Sequence, residues 1–179
     1  LPALQALRDQ TGDSASMAVR SGADILYVAH VSTTRPIRVS ANVGTRFPAH
    51  ATALGKVLMA FQEEPGLEAW LATAPFPRIT DRTVTDAETM RHRIARVRET
   101  GYDSALDELD YGIVSVAVPL FDPARRCLAA INCSTATTRI SQDELVRSRL
   151  PLLREAAGAI ERLLHAWPTL VRSLSAQAG

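Results

Sequence analysis

The sequence predicts an α+β fold in which an antiparallel sheet is flanked by helices. Segments with apolar residues at every second position fall towards both ends of the chain, and segments with helical spacing lie between them. Strands therefore do not alternate strictly with helices, as they do in parallel, doubly wound sheets. This order favours an antiparallel sheet over a Rossmann fold.

Length and composition are those of one ordinary globular domain. The 179 residues include 46% hydrophobic and 22% charged residues, and the formal net charge is only +1. That charge gives no strong attraction to nucleic acid or to an anionic membrane. The sequence shows neither a membrane-spanning stretch nor a secretory signal. We expect a single cytoplasmic domain over residues 1–179, with a loose tail at 167–179.

The N-terminal part of the sequence predicts one helix followed by a strand meander. The leucines of "LPALQAL" recur at helical spacing, and Gly12 ends that helix. Two strands are expected on either side of a turn at residues 21–24, and a third in "IRVSANVG", residues 37–44. These three strands would form an antiparallel meander.

Helical spacing takes over after Pro48. One helix is expected to begin near Thr52 and a second near Pro65, and each carries an apolar stripe. A loop with two prolines follows in "ATAPFPRITDRTVT". These two helices are expected to cover one face of the sheet.

Capping boxes predict the starts of two longer helices. The pattern T-x-x-E at residues 85–88 opens a helix that ends at Gly101, and S-x-x-E at residues 141–144 opens one that runs to about Ala166. Pro151 is expected to kink or split the last helix. Between them, "YDSALDEL", "GIVSVAVPLF" and "CLAAINCST" predict three strands, the last two joined by the turn "DPARR".

Polar residues interrupt the two apolar strands. Ser115 shares a strand face with apolar residues, and so do Asn132 and Ser134 on the next strand. A buried hydroxyl or amide must find a partner, so each of these residues either bonds to a neighbouring strand or lines a cavity. Three such residues on adjacent strands favour a small polar pocket. The cysteines of the second strand, Cys127 and Cys133, are expected to be unpaired thiols on one strand face.

The helix that begins near Thr52 predicts an anion site. The amides of Ala53, Leu54 and Gly55 would lie in its first turn, where they have no acceptor within the helix. The preceding residues lack the spacing of a phosphate loop, so a carboxylate fits better than a nucleotide. The alternative is that the small residues only allow the helix to pack tightly.

Other polar clusters give weaker signals. Asp107, Glu108 and Asp110 could do acid–base chemistry, or could form a polar strand end that leads into a glycine turn. The basic segment "RHRIARVRE" is interpreted as a solvated helix face rather than a nucleic-acid site. The four histidines are scattered, and no metal site or catalytic motif is expected.

The order and spacing of two long motifs resemble the effector-binding domain of IclR-type transcriptional regulators. These motifs are "VGTRFPAHATALGKVLMA" and "GYDSALDELDYGIVSVAVPLFDPARRCLAAINCSTATTRIS", and the resemblance runs from about Leu4 to about Leu164. The segments "YVAHVSTTRPIRVSANVGTRFPAH" and "INCSTATTRIS" are most similar to the regulators of aromatic-acid catabolism, which respond to protocatechuate, 4-hydroxybenzoate or β-ketoadipate.

The resemblance implies a GAF-like or profilin-like domain with a curved antiparallel sheet and a pocket for a small carboxylate effector. It implies no enzymatic activity, no cofactor, no metal and no membrane association. Added to the helix start, it completes the set of expected ligand-binding residues: Ala53, Leu54, Gly55, Asp107, Glu108, Ser115, Asn132 and Ser134.

The resemblance also implies a helix-turn-helix domain that precedes this chain, which begins at Leu1 rather than at methionine. DNA would be bound only through that domain, and the assembly would be a homodimer or tetramer. Three alternatives remain: a GAF-like sensor of a nucleotide or tetrapyrrole, a dimerisation module without a cavity, and a hydrolase that uses the acidic cluster or Ser115, the latter requiring a histidine within hydrogen-bond reach.

Overall fold

The computed structural model describes residues 1–33 and 41–166, which form one curled antiparallel sheet with helices on both faces. The sheet order is β3-β2-β1-β6-β5-β4. The strands are β1 (Ser14–Ser21), β2 (Asp24–Val31), β3 (Arg46–Pro48), β4 (Asp103–Leu106), β5 (Ile113–Phe121) and β6 (Cys127–Ala136). The helices are α1 (Pro2–Thr11), α2 (Ala53–Ala60), α3 (Glu64–Leu71), α4 (Ala87–Thr100) and α5 (Gln142–Ala166). The α+β class predicted from the sequence, with helices flanking an antiparallel sheet, is confirmed.

Each face of the sheet has its own apolar core. Helices α2, α3 and α4 cover one face, where Val57 and Ile94 pack towards Ala117 and Ala130. Helices α1 and α5 cover the other face, where their leucines form one core with the valines of β5. Strands β1, β5 and β6 are therefore buried on both sides over much of their length, which explains the long apolar runs in β5 and β6.

A β-bulge in β2 changes which side chains share a face. Ala18 of β1 pairs with Tyr27, whereas the residue before it pairs with Ala29, so Val28 is left without a partner in the ladder. One extra residue reverses the alternation of the strand beyond it. Tyr27 and His30 therefore point to the same side of the sheet, although their odd spacing would place them on opposite sides of a regular strand.

A second bulge lies in β6 at Leu128, because Leu120 pairs with Ala129 and Phe121 pairs with Cys127. Cys127 consequently packs against the core under α2, while Cys133 lies in the core under α5. The expectation that both cysteines share one face is wrong for this reason. Both thiols are free, and burial raises the pKa of each to about 12.

Two other local expectations, for the third strand and for the cap of α4, need correction. A third strand was expected at 37–44, but its described part, residues 41–44, forms a loop and a turn with Gly44 at φ 91°. The strand lies at Arg46–Pro48 instead. Residues 37–40 of that expectation and the tail at 167–179 lie outside the described residues. Helix α4 is capped by the carboxylate of Asp86, not by the expected threonine one residue earlier.

Helix α5 is continuous from Gln142 to Ala166, so Pro151 does not split it. The hydroxyl of Ser141 accepts a hydrogen bond from the amide of Glu144 at 3.3 Å, as the capping box predicted. Of the helices in the described ranges, none combines the length and apolar character that a membrane crossing requires.

The start of α2 packs closely against the short 3-10 helix Ala49–Ala51. A Cβ atom on Gly55 would overlap the backbone carbonyl and Cα of Ala49, so only glycine fits this contact. The alternative given for the small residues, tight packing, therefore holds for Gly55.

We predict that Gly55→Ala lowers the free energy of unfolding by about 1–3 kcal/mol, because an added methyl group must displace backbone. Urea unfolding of the isolated domain measures the change. Gly158→Ala in α5 is the matched control, since the nearest atom to its new Cβ is the end of the Arg162 side chain at 3.4 Å. That control should gain up to about 1 kcal/mol, and equal effects of the two variants would contradict the packing argument.

Candidate functional site

A cavity of about 200 Å³ lies between the sheet and the N-terminal end of α2. Its floor is built by β1, β2, β5 and β6, and its walls by residues 51–54 and by Glu108 and Leu109 from the β4–β5 loop. An apolar protein cavity of roughly 150 Å³ is large enough to bind benzene. The cavity therefore has room for a molecule with one aromatic ring.

Two rows of polar side chains cross the floor of the cavity. The strand registers place these residues directly opposite one another, and all of them line the cavity. In the first row Ser14 faces Ser134, which faces Ser115; in the second row His30 faces Ser16, which faces Asn132. The polar pocket therefore extends beyond the two strands from which it was expected, β5 and β6, because β1 and β2 supply half of its floor.

The second row and the neighbouring Tyr27 carry groups that stay uncharged at neutral pH. Burial raises the pKa of the Tyr27 hydroxyl to about 12, although hydrogen bonds with Ser16 and Asn132 partly oppose the shift. Burial also lowers the pKa of His30, whose Nδ1 lies 2.9 Å from the Ser16 hydroxyl. These side chains therefore offer hydrogen bonds to a ligand but no net charge.

Asn132 stands out within this row. Its side chain is only 3% exposed, and its Oδ1 has no hydrogen-bond partner among the described residues. Buried polar atoms in folded proteins are nearly always hydrogen-bonded, so an unpartnered acceptor in a cavity indicates a place for a donor from outside the protein.

The opposite side of the cavity carries the first turn of α2. Thr52 caps the helix, and its Oγ1 accepts a hydrogen bond from the amide of Gly55 at 3.0 Å. The expectation that the Gly55 amide is free is therefore wrong. Ala53 and Leu54 line the cavity, and their amides precede the first intrahelical hydrogen bond, which Lys56 donates to Thr52.

A buried cluster of charges lies behind this wall. The ammonium of Lys56 is completely buried; it bonds to the carboxylate of Glu108 and lies 3.5 Å from Asp103 Oδ2. Arg93 contacts the other oxygens of both carboxylates, with its Nε 2.5 Å from Asp103 Oδ1 and a second nitrogen 3.3 Å from Glu108 Oε1. The interpretation of the basic segment as a solvated face is therefore wrong for Arg93, which α4 directs inward.

The closest contacts of this cluster join two cations with two carboxylates, and the half-exposed Arg96 adds a longer contact, 4.0 Å from Asp103 Oδ1. Glu108 is the only carboxylate among the described residues that line the cavity, and the same set contains neither lysine nor arginine. Since Glu108 is neutralised by its partners, the partial positive charge at the start of α2 is the feature of the cavity that favours an anion.

Six of the eight residues predicted to bind a ligand line the cavity: Ala53, Leu54, Glu108, Ser115, Asn132 and Ser134. Gly55 and Asp107 lie outside its lining. Gly55 packs against the 3-10 helix, and the Asp107 carboxylate accepts a hydrogen bond from the amide of Gly112 at 2.7 Å within the β4–β5 turn. Asp107 has a positive φ of 56°, a conformation that aspartate tolerates in turns.

The sequence analysis missed the polar side chains that β1 and β2 contribute to the floor: Ser14, Ser16, Tyr27 and His30. The two serines alternate with the apolar Ala15 and Met17, which is the kind of signal that identified Ser115. His30 gave no such signal, because the bulge brings it to the cavity face.

Comparison with known proteins identifies the chain. The family model described as "Bacterial transcriptional regulator IclR C-terminal" matches residues 1–162. The chain belongs to this family. The resemblance inferred from the sequence is thereby confirmed, and the chain is a domain of a transcriptional regulator rather than an enzyme.

One relative of this IclR C-terminal domain is the Pca regulon regulatory protein of Pseudomonas putida. It is 38% identical over 157 residues, covering 87% of this chain and 54% of that protein. The chain thus spans about half the length of this relative.

Two solved structures of IclR-type proteins contain aromatic acids. The inducer-binding domain of PobR from Acinetobacter, a double mutant in complex with 3-hydroxybenzoic acid, is 31% identical with a TM-score of 0.83 over 90% of this chain and 95% of that chain. An IclR homologue from Microbacterium hydrocarbonoxydans in complex with 4-hydroxybenzoate is 26% identical with a TM-score of 0.81 over 90% and 64% of the two chains.

The hydrolase alternative finds no support in the IclR C-terminal domain. The histidine that lines the cavity, His30, bonds to Ser16 through Nδ1 and not to Ser115. His50 lies in the 3-10 helix Ala49–Ala51, where its Nε2 bonds to the carbonyl of Pro77 at 2.9 Å. In the part of the chain that is described, no group of His, Cys, Asp and Glu could hold a metal ion.

We predict that Lys56→Met lowers the free energy of unfolding by about 3–5 kcal/mol, because two buried carboxylates are left with one cation. The double variant Lys56→Met/Glu108→Gln should recover part of this loss, since it restores the charge balance. Urea unfolding measures both. Arg91→Ala is the control: its ion pair with Glu68 is about half exposed and screened by solvent, so its loss should destabilise the domain far less. Similar losses for Lys56→Met and Arg91→Ala would contradict the role of the cluster.

We predict that His30 reduces the stability of the domain at acidic pH. Burial lowers its pKa in the fold below the ordinary 6.5, so below that pH the unfolded chain binds a proton that the folded chain resists. Stability is therefore lost as the pH falls through the unfolded pKa. Unfolding free energies measured at about pH 7 and about pH 5 should fall less for His30→Gln than for the wild type. Equal falls would show that His30 does not resist protonation.

Proposed function

We propose that this IclR C-terminal domain senses a small aromatic carboxylic acid bound in the cavity between α2 and the sheet. The observation that carries the proposal is the polarity of the cavity, which has the first-turn amides of α2 at one end and a neutral polar floor at the other, with apolar side chains in its lining. The hydroxybenzoates in two solved relatives support the same ligand class.

The chemistry of the lining favours one orientation of the acid. The carboxylate would accept hydrogen bonds from the amides of Ala53 and Leu54, where the helix dipole also stabilises it by up to about 1 kcal/mol. The ring would contact Phe47 and Ile113, which line the cavity. A polar substituent on the far side of the ring would meet the second polar row of the floor. Glu108, already paired with Lys56, would not repel the carboxylate strongly.

The bound acid would regulate DNA binding through a helix-turn-helix domain that precedes this chain in the full protein. Regulation requires that the acid binds one arrangement of the domains or subunits more tightly than the other. We place this activity in the cytoplasm, in a homodimer or tetramer, as the family assignment suggests. Light scattering of the full-length protein, with and without the acid, tests the assembly; a monomer in both conditions would contradict it.

Thermal unfolding in the presence of benzoate, 3-hydroxybenzoate and 4-hydroxybenzoate tests the proposed ligand class. An acid at about a hundred times its dissociation constant should stabilise the domain by roughly 2.7 kcal/mol. Ser134→Leu, which fills part of the cavity, should abolish this gain, whereas Thr138→Leu on the exposed turn after β6 should retain it. Absence of stabilisation by every acid, or equal stabilisation of both variants, would contradict the proposal.

A further inference from the structure

Asn132 lies at a fixed place on the cavity floor. It pairs with Ser16 of β1 on one side and with Ala117 of β5 on the other, so its side chain cannot change faces without a slip of register. It is also 3% exposed, so bulk water does not satisfy it. The hydrogen bonds of the Asn132 carboxamide therefore depend on its protein neighbours and on any molecule that occupies the cavity.

The neighbouring polar groups leave Oδ1 without a donor. Ser16 engages the Nδ1 of His30, and the Tyr27 hydroxyl lies close enough to Ser16 and Asn132 to influence its own pKa. Within the described residues none of these groups donates to Oδ1. A molecule that fills the cavity must bring its own donor or leave this acceptor unpaired, and an unpaired buried acceptor weakens binding.

The same surroundings disfavour a carboxylate at this end. Oδ1 is an acceptor with no proton to offer, and the hydrogen-bond donors around it belong to uncharged groups, since burial keeps Tyr27 and His30 neutral. A carboxylate would therefore lose its hydration here without gaining a positive partner, whereas the amides of Ala53 and Leu54 accommodate it at the other end. The two ends of the cavity thus favour different groups.

We propose that Asn132 selects acids that carry a ring hydroxyl, by accepting a hydrogen bond from that hydroxyl through Oδ1. This assignment rests on the proposed function and adds a residue that determines specificity. A site built to hydrogen-bond a ligand hydroxyl rejects the analogue that lacks it far more strongly than an apolar pocket rejects an extra group.

Calorimetric titration of the wild-type domain with benzoate, 3-hydroxybenzoate and 4-hydroxybenzoate tests the assignment. At least one hydroxybenzoate should bind about tenfold to a hundredfold more tightly than benzoate. Equal affinities for all three acids overturn the assignment but leave the proposed function standing. Binding of none of them overturns both.

Variants then test whether Asn132 carries the preference. In Asn132→Leu the preference should fall to within about threefold, because the hydroxylated acid loses affinity while benzoate keeps it. Thr138→Leu is the control: this residue lies on the exposed turn after β6, outside the cavity lining, and its substitution should leave the preference unchanged.

Circular dichroism and the unfolding midpoint show whether each variant is folded, and Asn132→Ala replaces the leucine variant if that one is not. A folded Asn132 variant that keeps the full preference overturns the assignment. The wild-type comparison decides the matter by itself if neither variant folds.

Discussion

The buried ion cluster around Lys56 holds together the elements on which the cavity depends. Its members come from α2, α4, β4 and the loop after β4, and Asp103 is as completely buried as Lys56 itself. A buried charge is tolerated only while its partners remain in place, so these elements cannot separate without a large cost in free energy. The cluster thereby fixes the start of α2 opposite the sheet, and it neutralises Glu108 where that residue meets the cavity.

The floor of the cavity depends on strand register in the same way. The bulge at Val28 brings His30 into line with Ser16, and the ladder continues to Asn132, so one polar row crosses three strands. Helix α2 supplies backbone donors above this row, and the row itself carries uncharged polar groups, among them the unpaired Oδ1 of Asn132. The cavity is therefore polar at both ends with opposite preferences, which is the property expected of a site for a small acid with a second polar group.

Much of the fold follows from local sequence patterns, and part of the site does as well. Periodicity located the helices and most strands, and Ser115 was found because it interrupts an apolar strand. Strand alternation did not predict which face His30 lies on, because the extra residue Val28 reverses the alternation before it. Local patterns also failed for Lys56, because lysines are rarely buried and only the fold shows the carboxylates that surround this one.

The central claim is that an aromatic acid binds with its carboxylate at the start of α2. An amide NMR titration of the isotope-labelled domain with 4-hydroxybenzoate tests it most directly. The account predicts that the amide signals of Ala53 and Leu54 shift strongly, while that of Gly158 in α5, on the other face of the sheet, stays unchanged. Shifts confined to the groove formed by Arg98, Arg154 and Gly158, or no shifts at all, would contradict it.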